Sequence, residues 1–367
     1  MKRNYKMKVL FVCLIACCSH EIFAQHPSIV LDSIQSSILK ESRTFRIYLP
    51  KEIVDKKPKQ EKYPVLYVLD GDDNYLPVSG MVNYLSEVNG NRIFPKMIVV
   101  FINNTNRTRD LTPYRVNASA MLPKAMADVT GGAENFTQVI QQEIIPYIES
   151  KYPSSGYRAL FGHSFGGIFA LAVLQKHPTL FDDYLVMDPS LWYDEGRFSK
   201  DVLRTIQARK YQNKSLFIGL ANTTYEPSLA KVLASKAAFS VHEKSIIRFC
   251  QQLQRSKSMP FSYQYYPKDD HGSIPFVGIY DGLRKIFQAH QLSYYEVVNP
   301  NFDPEKRITT YYKNLSAKLK TPLQVRPEEL EYFDMFYAIN SDLTGQKKLR
   351  AYYQRLYPKE YAKFTAK

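Results

Sequence analysis

The amino-acid sequence predicts an α/β protein, with a mostly parallel central sheet, helices on both of its faces and a small helical C-terminal extension. Between residues 60 and 290, short apolar runs bounded by Gly, Pro, Asn and Asp alternate with helical patterns. Strand and helix in repetition are typical of a parallel sheet that is buried on both faces. Beyond residue 299 the strand signal ends and only helical patterns continue.

Eight segments are predicted to form strands. The six that look fully buried are Lys62–Asp70, Met97–Ile102, Tyr157–Phe161, Tyr184–Met187, Ser215–Leu220 and Phe261–Tyr266. Ser28–Asp32 is a weaker candidate. Arg43–Leu49 alternates apolar and other residues, which predicts an antiparallel edge strand.

Helices are predicted between these strands and after them. Ala133–Ser150 repeats apolar side chains at helical spacing, and Ser228–Gln254 continues without Gly or Pro. The segment Asn299–Pro304 indicates a linker, and two or three basic, Tyr-rich helices are predicted beyond it. They are Arg307–Lys320, Pro327–Asn340 and Gly345–Tyr357. The predicted division is therefore residues 25–298 for the α/β domain and 303–367 for an extension packed on it, with a separate binding module as the alternative.

The composition is that of a folded chain: 367 residues, 45% hydrophobic and 23% charged.

Residues 1–24 combine a basic start, an apolar run and a small residue before Gln25, which predicts a signal peptide for export. The run Leu14–Cys17 also matches a bacterial lipobox. We therefore expect a protein of the periplasm or cell envelope, either soluble or a lipoprotein anchored at Cys17. No later stretch approaches the 18 apolar residues of a membrane span.

The charge excludes few partners by itself. The chain has 49 Lys and Arg against 35 Asp and Glu, for a net charge of +14. Residues 1–24 hold four of these bases and one of the acids, so the net charge of residues 25–367 is +11. This excess favours anionic substrates or surfaces. It is spread along the chain without a nucleic-acid-binding motif, so no nucleic acid partner is predicted. Residues 25–367 contain no CxxC, HExxH or calcium loop, and neither metal nor cofactor is predicted.

A Gly-x-Ser-x-Gly motif lies in Gly162–Gly167, directly after a predicted strand and before an apolar helical run. This context is typical of a nucleophilic serine on a sharp strand-to-helix turn. Glycine on either side of Ser164 would remove Cβ atoms that clash, and the helix amino end would direct partial positive charge at the site. Ser164 is the predicted nucleophile; an ordinary Gly-rich turn is the alternative.

A serine hydroxyl needs a base near neutral pH. His271 follows the last predicted strand, where the base belongs in a Ser, acid, His chain order, whereas His242 is expected at the surface of a helix. The same order places the acid after Ser215–Leu220, where Glu226 is the available carboxylate. Asp188, after the preceding strand, is the alternative, and a Ser–His pair without an acid stays open.

The negative oxygen that forms on an attacked carbonyl needs backbone amides directed at it. One donor is expected from Phe165, the residue after the nucleophile. The second is expected from Asp72, in a turn after an early strand where Gly71 lets the chain bend sharply.

Five sequence blocks together resemble the "Putative esterase" family of α/β-hydrolases. The blocks are Leu69–Asp72, Asn106–Pro113, Gly162–Gly167, Asp188–Trp192 and Asp270–Ser273. The most similar branch is that of enterochelin (ferric siderophore) esterases, with esterase D and feruloyl esterases as more distant relatives. The resemblance covers about residues 28–290 and implies the α/β-hydrolase fold. Its implied site residues are Ser164 as nucleophile, His271 as base, and the amides of Asp72 and Phe165 as oxyanion hole.

The resemblance also implies that Arg107, Arg109 and Trp192 border the substrate cleft, and His163 is placed there with them. Guanidinium forks match a carboxylate or the catecholate oxygens of an iron chelate, although pairing with acids of the protein explains the two arginines equally well. Trp192 could stack on an aromatic acyl group or fill the rim.

The sequence therefore predicts an exported serine hydrolase that cleaves carboxylic esters through an acyl-enzyme. Siderophore esters are the first substrate candidates, and feruloyl or acetyl esters of glycans are the second. Acyl transfer on the same site and a surface binding protein without turnover are the alternatives.

Overall fold

The computed structural model describes residues 28–55, 61–88, 91–209, 211, 213–238, 240–288, 290, 292–299 and 303–366. The predicted signal peptide and Cys17 lie outside these ranges. Within these ranges, no helix combines the length and the apolar character that crossing a membrane requires.

An eight-stranded sheet organises the described chain. Its strands are β1 (Ile29–Gln35), β2 (Ser42–Tyr48), β3 (Tyr63–Val68), β4 (Ile98–Ile102), β5 (Ser154–His163), β6 (Asp183–Met187), β7 (Ser215–Ala221) and β8 (Phe261–Tyr266). Their order across the sheet is β1-β2-β4-β3-β5-β6-β7-β8. The β1/β2 and β2/β4 pairs are antiparallel and the other neighbours are parallel. The predicted mostly parallel sheet is confirmed, but β2 lies inside the sheet, and the two edges are β1 and β8. The expectation that β8 is fully buried was wrong, since Tyr266 is its one buried residue.

Helices connect the strands and continue beyond the sheet. They are α1 (Lys51–Val54), α2 (Gly71–Ser86), α3 (Arg107–Leu111), α4 (Lys124–Ala127), α5 (Ala133–Val139), α6 (Ile145–Lys151), α7 (Phe165–Lys176), α8 (Arg197–Ala208), α9 (Leu229–Ala234), α10 (Ser240–Ser256), α11 (Ile274–Ile286), α12 (Tyr294–Val297), α13 (Pro304–Leu319), α14 (Pro327–Ile339), α15 (Leu343–Leu356) and α16 (Pro358–Thr365). A π-helical turn, Ile140–Ile144, joins α5 to α6, and a 3-10 turn, Tyr193–Gly196, precedes α8.

Both faces of the sheet are covered, which explains why every residue of β3, β4 and β6 is buried. One core lies between the sheet and α5, α6, α7, α8 and α10, and the other lies between the sheet and α2, α11 and α13. This arrangement brings the carboxyl ends of the parallel strands to one edge, where ligands bind in open α/β sheets.

One predicted helix is interrupted. The segment Ser228–Gln254 forms α9 and α10 rather than one continuous helix. The backbone of Ser235 is extended, with ψ 141°, and its carbonyl oxygen accepts the ammonium group of Lys244 and the hydroxyl of Ser240. These side chains replace the helical hydrogen bonds that the break removes.

The C-terminal helices pack on the sheet domain. Helix α13 buries Leu315 and Leu319 in the core that α2 and α11 share, and Lys320 pairs with Asp182 at 2.8 Å. Helices α13, α14 and α15 form a further apolar cluster against which α16 packs. The predicted helical extension is confirmed, with α16 as an additional helix that begins at a proline.

Candidate active site

Ser164 lies on the sharp turn between β5 and α7, with φ 58° and ψ −114°. A positive φ is uncommon for a residue other than glycine, so the surrounding structure must impose it. A Cβ atom at Gly162 would overlap the carbonyl group of Gly166, and a Cβ atom at Gly166 would meet Leu69 at an ordinary 3.5 Å. The turn therefore requires glycine at position 162. The expectation that position 166 also needs glycine to avoid a clash was wrong.

His271 follows β8, and its Nδ1 lies 2.6 Å from Oδ2 of Asp188. The other carboxylate oxygen of Asp188 accepts the backbone N–H of Ala221 at 3.0 Å. Asp188 is fully buried and follows β6 at a residue with φ 43°. The Asp188 bond fixes the orientation of the imidazole ring and leaves its Nε2 atom available for a proton from a nucleophile.

The carboxyl group of Asp188 is buried and charged. Burial alone would raise its pKa, but the electrostatic interactions and hydrogen bonds with His242 and His271 outweigh burial and hold the pKa well below the usual range. Asp188 is therefore a carboxylate at neutral pH and can stabilise an imidazolium on His271.

Glu226, the acid expected from the sequence, does not contact His271. The described hydrogen bonds of Glu226 use its backbone oxygen, which accepts from the side chains of Asn222 and Tyr265. The acid position is thus corrected to Asp188, because the ring of His271 faces the carboxyl end of β6 and not the loop after β7.

His242 was expected at the surface and is buried instead. Its Nε2 lies 2.8 Å from Oδ2 of Asp188, the same oxygen that His271 contacts. The sequence carries a signal that predicts this burial: His242, Ile246 and Cys250 are spaced four residues apart and share one face of α10.

Ser164 and His271 line one cavity of about 480 Å³. Six other residues of its wall are Asp70, Asp73, Asn74, Arg107, His163 and Phe276. The Oγ atom of Ser164 lies 3.2 Å from the Oγ atom of Ser190, and no hydrogen bond among the described residues joins Ser164 to His271. In structures without substrate, hydrogen bonds between base and nucleophile are often long and tighten when the substrate binds.

The two expected oxyanion donors lie at the start of two helices. Phe165 is the first residue of α7, and Asp72 is the second residue of α2. Amides in the first helical turn have no acceptor within the helix, and no described backbone hydrogen bond uses either of these two. The side chain of Asp72 pairs with Arg46 at 2.5 Å.

Of the two arginines expected at the cleft, the structure places only Arg107 in the cavity wall. Its Nε and Nη2 atoms contact the two carboxylate oxygens of Asp70 at 2.6 and 3.0 Å. Arg109 is not among the described residues that line the cavity, and it pairs with Glu41 at 2.6 Å and Asp110 at 2.7 Å. These two ion pairs account for Arg109 as a structural residue.

Trp192 and His163 lie close to the nucleophile. The ring of Trp192 is half-buried beside Phe165, 6.1 Å between centroids, and is not part of the described cavity wall. The ring of His163 lies 4.5 Å from that of His271, and its Nε2 is buried without a hydrogen-bond partner. Burial, followed by the proximity of His271, lowers the pKa of His163 to about 4, so this ring is uncharged at neutral pH.

One group of side chains in the described chain could also hold a metal ion. The ligand atoms of Asp188, His242 and His271 all lie within 4.8 Å of one another. Hydrogen bonds between the carboxylate and the two imidazoles account for this cluster without a cation.

The fold and the turn at Ser164 together define an α/β-hydrolase. The chain belongs to the family described as "Putative esterase", whose model matches residues 36–271. This match confirms the resemblance to the "Putative esterase" family that the sequence blocks indicated.

Three relatives illustrate the similarity. The chain is 30% identical over 197 residues to the ferri-bacillibactin esterase BesA of Bacillus subtilis, covering 49% of this chain and 65% of the relative. It is 36% identical over 106 residues to a siderophore enterobactin esterase of Emericella nidulans, covering 27% and 35%. The crystal structure of an IroE-like serine hydrolase from Shewanella oneidensis matches with a TM-score of 0.73 and 28% identity, covering 89% of this chain and 99% of that one. The chain spans less than two thirds of the length of the curated relatives it matches.

Proposed function

We propose that this protein is a serine hydrolase that cleaves carboxylic esters through an acyl-enzyme on Ser164. The observation that carries the proposal is that a serine with positive φ and a histidine oriented by a buried carboxylate line the same cavity. Membership of an esterase family and relatives named as esterases support the same reaction.

In the acylation step, Oγ of Ser164 adds to the carbonyl carbon of the ester and its proton passes to Nε2 of His271. The carbonyl oxygen becomes negative, and the amides of Phe165 and Asp72 donate to it. The carbon–oxygen bond to the alcohol then breaks, and the leaving alcohol takes the proton from His271. Asp188 stabilises the imidazolium that exists between the two proton transfers.

In the deacylation step, a water molecule replaces the alcohol. His271 removes a proton from the water as its oxygen adds to the acyl carbon, and the same amides hold the oxyanion. The bond to Ser164 breaks, Oγ regains the proton from His271, and the carboxylic acid is released. An alcohol in place of water would give acyl transfer by the same chemistry.

Siderophore esters are the substrate class that we propose. Support comes from the printed names of the relatives, which are a ferri-bacillibactin esterase and a siderophore enterobactin esterase. The wall of the cavity mixes charged groups with an exposed aromatic ring, Phe276, which suits an aromatic acyl group that carries polar substituents. The positive net charge of the chain favours the approach of an anionic iron chelate.

Labelling with a fluorophosphonate tests the nucleophile. The wild type and Ser190→Ala should be labelled, whereas Ser164→Ala should not, because Ser190 only neighbours the reactive hydroxyl. Hydrolysis of an activated ester should fall roughly 10³-fold or more in Ser164→Ala. Labelling or turnover that survives in Ser164→Ala would reject the acyl-enzyme on this residue, whereas a wild type that is neither labelled nor active on any ester would favour a binding protein.

A substrate panel tests the class of ester. Ferric and iron-free trilactone siderophores should be cleaved with a higher kcat/KM than feruloyl or acetyl glycan esters, and the reverse order would replace the proposed class. Adding simple alcohols to the same reactions and analysing the products separates hydrolysis from acyl transfer.

We also propose export to the periplasm or cell envelope, which rests on the pattern of residues 1–24 and on the lipobox at Leu14–Cys17. Cell fractionation of the wild type and Cys17→Ser tests both forms of the proposal. Release of Cys17→Ser from a membrane fraction that retains the wild type indicates a lipid anchor. Recovery of both proteins in the soluble envelope fraction indicates soluble export, and recovery in the cytoplasm rejects the proposal.

A further inference from the structure

Two histidines share one oxygen atom of the buried acid. Oδ2 of Asp188 lies 2.6 Å from Nδ1 of His271 and 2.8 Å from Nε2 of His242. The two rings are nearly perpendicular, at 85°, with their centroids 5.3 Å apart. The proposed acyl-enzyme mechanism uses Asp188 and His271 but gives no role to His242, which is itself buried.

The chemistry of the carboxylate decides which hydrogens are present. An ionised carboxylate only accepts hydrogen bonds, so both imidazoles must donate an N–H to Oδ2. His242 therefore carries a hydrogen on Nε2, and His271 carries one on Nδ1. Together with the N–H of Ala221 on Oδ1, Asp188 receives three donors, which offsets the cost of burying its charge.

The start of α10 is tied down so that His242 reaches the acid. The next residue, Glu243, is fully buried and accepts the backbone N–H of Thr224 at 3.0 Å and its hydroxyl at 2.5 Å. The preceding residue, Val241, is exposed. These two hydrogen bonds join the first turn of α10 to the loop after β7. The last residue of β7, Ala221, donates its backbone N–H to Asp188.

We propose that His242 is a positioning residue of the triad, which donates to Oδ2 of Asp188 and thereby sets how strongly His271 holds a proton. The negative charge of Asp188 is then divided between two imidazole donors instead of acting on His271 alone. The role requires the N–H of His242 and not a charge on its ring. This inference rests on the proposed function only where it is tested by rate measurements, because the NMR measurements need no esterase activity.

Other charged and titratable groups also face this cluster. His163 lies against His271 from the end of β5, and Arg107 and Asp70 act on His163 from α3 and from the turn before α2. Asp270, in the loop of His271, accepts the backbone amides of Gly272 and Ser273 at 2.9 Å. All of these side chains remain in the His242 variants, so a shift in the pH profile can be assigned to the loss of His242.

His242→Phe keeps a ring and removes the N–H, and His242→Gln keeps a donor that does not titrate. In the Phe variant the full charge of Asp188 acts on His271, so the acid limb of the kcat/KM profile should move up by about 0.5–1 pH unit. The Gln variant should return the limb to the wild-type position. His177→Gln is the matched control, because His177 also pairs with a carboxylate, Glu134 at 2.9 Å, and lies at the opposite end of α7 from Ser164.

The experiment measures kcat/KM for an activated ester between pH 5 and 9, with thermal melts of each variant. In parallel, proton NMR with labelled histidine follows the Nδ1 hydrogen and the titration of His271, and this readout needs no turnover. A shift in the Phe variant that Gln reverses, seen by NMR and by rate, supports the proposal. If His242→Phe does not fold, His242→Asn takes its place, because its shorter amide falls short of Asp188.

Three outcomes would overturn the proposal. The first is an acid limb that stays in place while only the melting temperature falls, which indicates a purely structural His242. The second is a shift that Gln does not reverse, which indicates a need for charge. The third is an equal shift in the His177 control. A wild type without esterase activity would reject the proposed function instead, and the NMR titration would still decide the role of His242.

Discussion

Asp188→Asn is the strongest test of the acid, and Glu226→Gln is its matched control because each change replaces one carboxylate with its amide. The amide introduced by Asp188→Asn could place its NH₂ group against the N–H groups of the two histidines, which would repel them. It could instead place its oxygen there, which accepts hydrogen bonds but lacks the negative charge of the carboxylate. The ring of His271 would lose the partner that selects its tautomer. A loss of kcat of roughly 10⁴-fold is the size found when this bond is removed from a Ser-His-Asp triad.

The same substitution also has a cost in stability that follows from the contacts of Asp188. Three N–H donors converge on this fully buried carboxylate at 2.6, 2.8 and 3.0 Å. Removing one partner from a buried charged network costs about 3–5 kcal/mol of unfolding free energy. Glu226 is only partly buried and bonds through its backbone, so its amide should change stability by less than about 0.5 kcal/mol.

The stability loss also has a pH dependence of definite sign. The pKa of Asp188 is lowered in the folded state, so its contribution is present above the unfolded pKa of about 4 and is lost as pH falls below that value. The difference between wild type and Asp188→Asn should therefore shrink below pH 4.

Steady-state hydrolysis of an activated ester and urea unfolding between pH 3 and 7 measure these effects. If Glu226→Gln loses as much kcat as Asp188→Asn, or if Asp188→Asn stays within tenfold of wild type, the assignment of the acid to Asp188 is wrong. A difference in unfolding free energy that does not change with pH would contradict the electrostatic part of the reasoning.

Three further predictions test the turn, the extension and the pKa of His163. Gly162→Ala should abolish fluorophosphonate labelling or folding because its Cβ overlaps backbone, whereas Gly166→Ala should retain both; equal losses would contradict the steric account. Leu319→Ala should lower the unfolding free energy by about 2–5 kcal/mol because Leu319 is buried against the sheet domain, while the exposed Leu343→Ala should not. If Leu319→Ala melts like wild type, the extension is a separate module. The pKa of His163 is about 4 when folded against 6.5 unfolded, so its contribution is present above pH 6.5 and is lost as pH falls toward 4. The unfolding free energy of wild type should therefore fall by roughly 3 kcal/mol more than that of His163→Gln over this range in urea titrations, and parallel curves would contradict the lowered pKa.

Most of the fold follows from local sequence signals. The six strands predicted between residues 62 and 266 all occur, with ends that differ by up to three residues, but β8 is partly exposed because it lies at an edge of the sheet. The edge position of β2 was wrong because alternation of apolar and other residues reports a difference between two faces and not the number of neighbouring strands. The break between α9 and α10 was missed because Ser235 ends a helix through side-chain contacts that lie up to nine residues away.

The nucleophile and the base were also within reach of the sequence, because each lies in a local pattern. Ser164 sits in a motif whose geometry is confined to a few residues, and His271 directly follows the last strand of the sheet. The acid is different. Chain order permits a carboxylate after β6 or after β7, and both positions were occupied, by Asp188 and Glu226. Only the distance to the imidazole ring decides between them, and that distance is a property of the assembled sheet.

His242 shows why the remaining part of the site depends on tertiary structure. Its spacing from Ile246 and Cys250 predicts burial, but burial does not identify the group that it faces. Because β6, β7 and β8 are adjacent, the ends of β6 and β8 bring Asp188 and His271 together, while the loop after β7 anchors the helix that carries His242. His242 and His271, from two separate segments, thus meet at Oδ2 of Asp188, and Asp188 and His271 are 83 positions apart in the sequence. A buried histidine on an apolar helix face is therefore best tested against the charged groups at the neighbouring strand ends before it is assigned to the core.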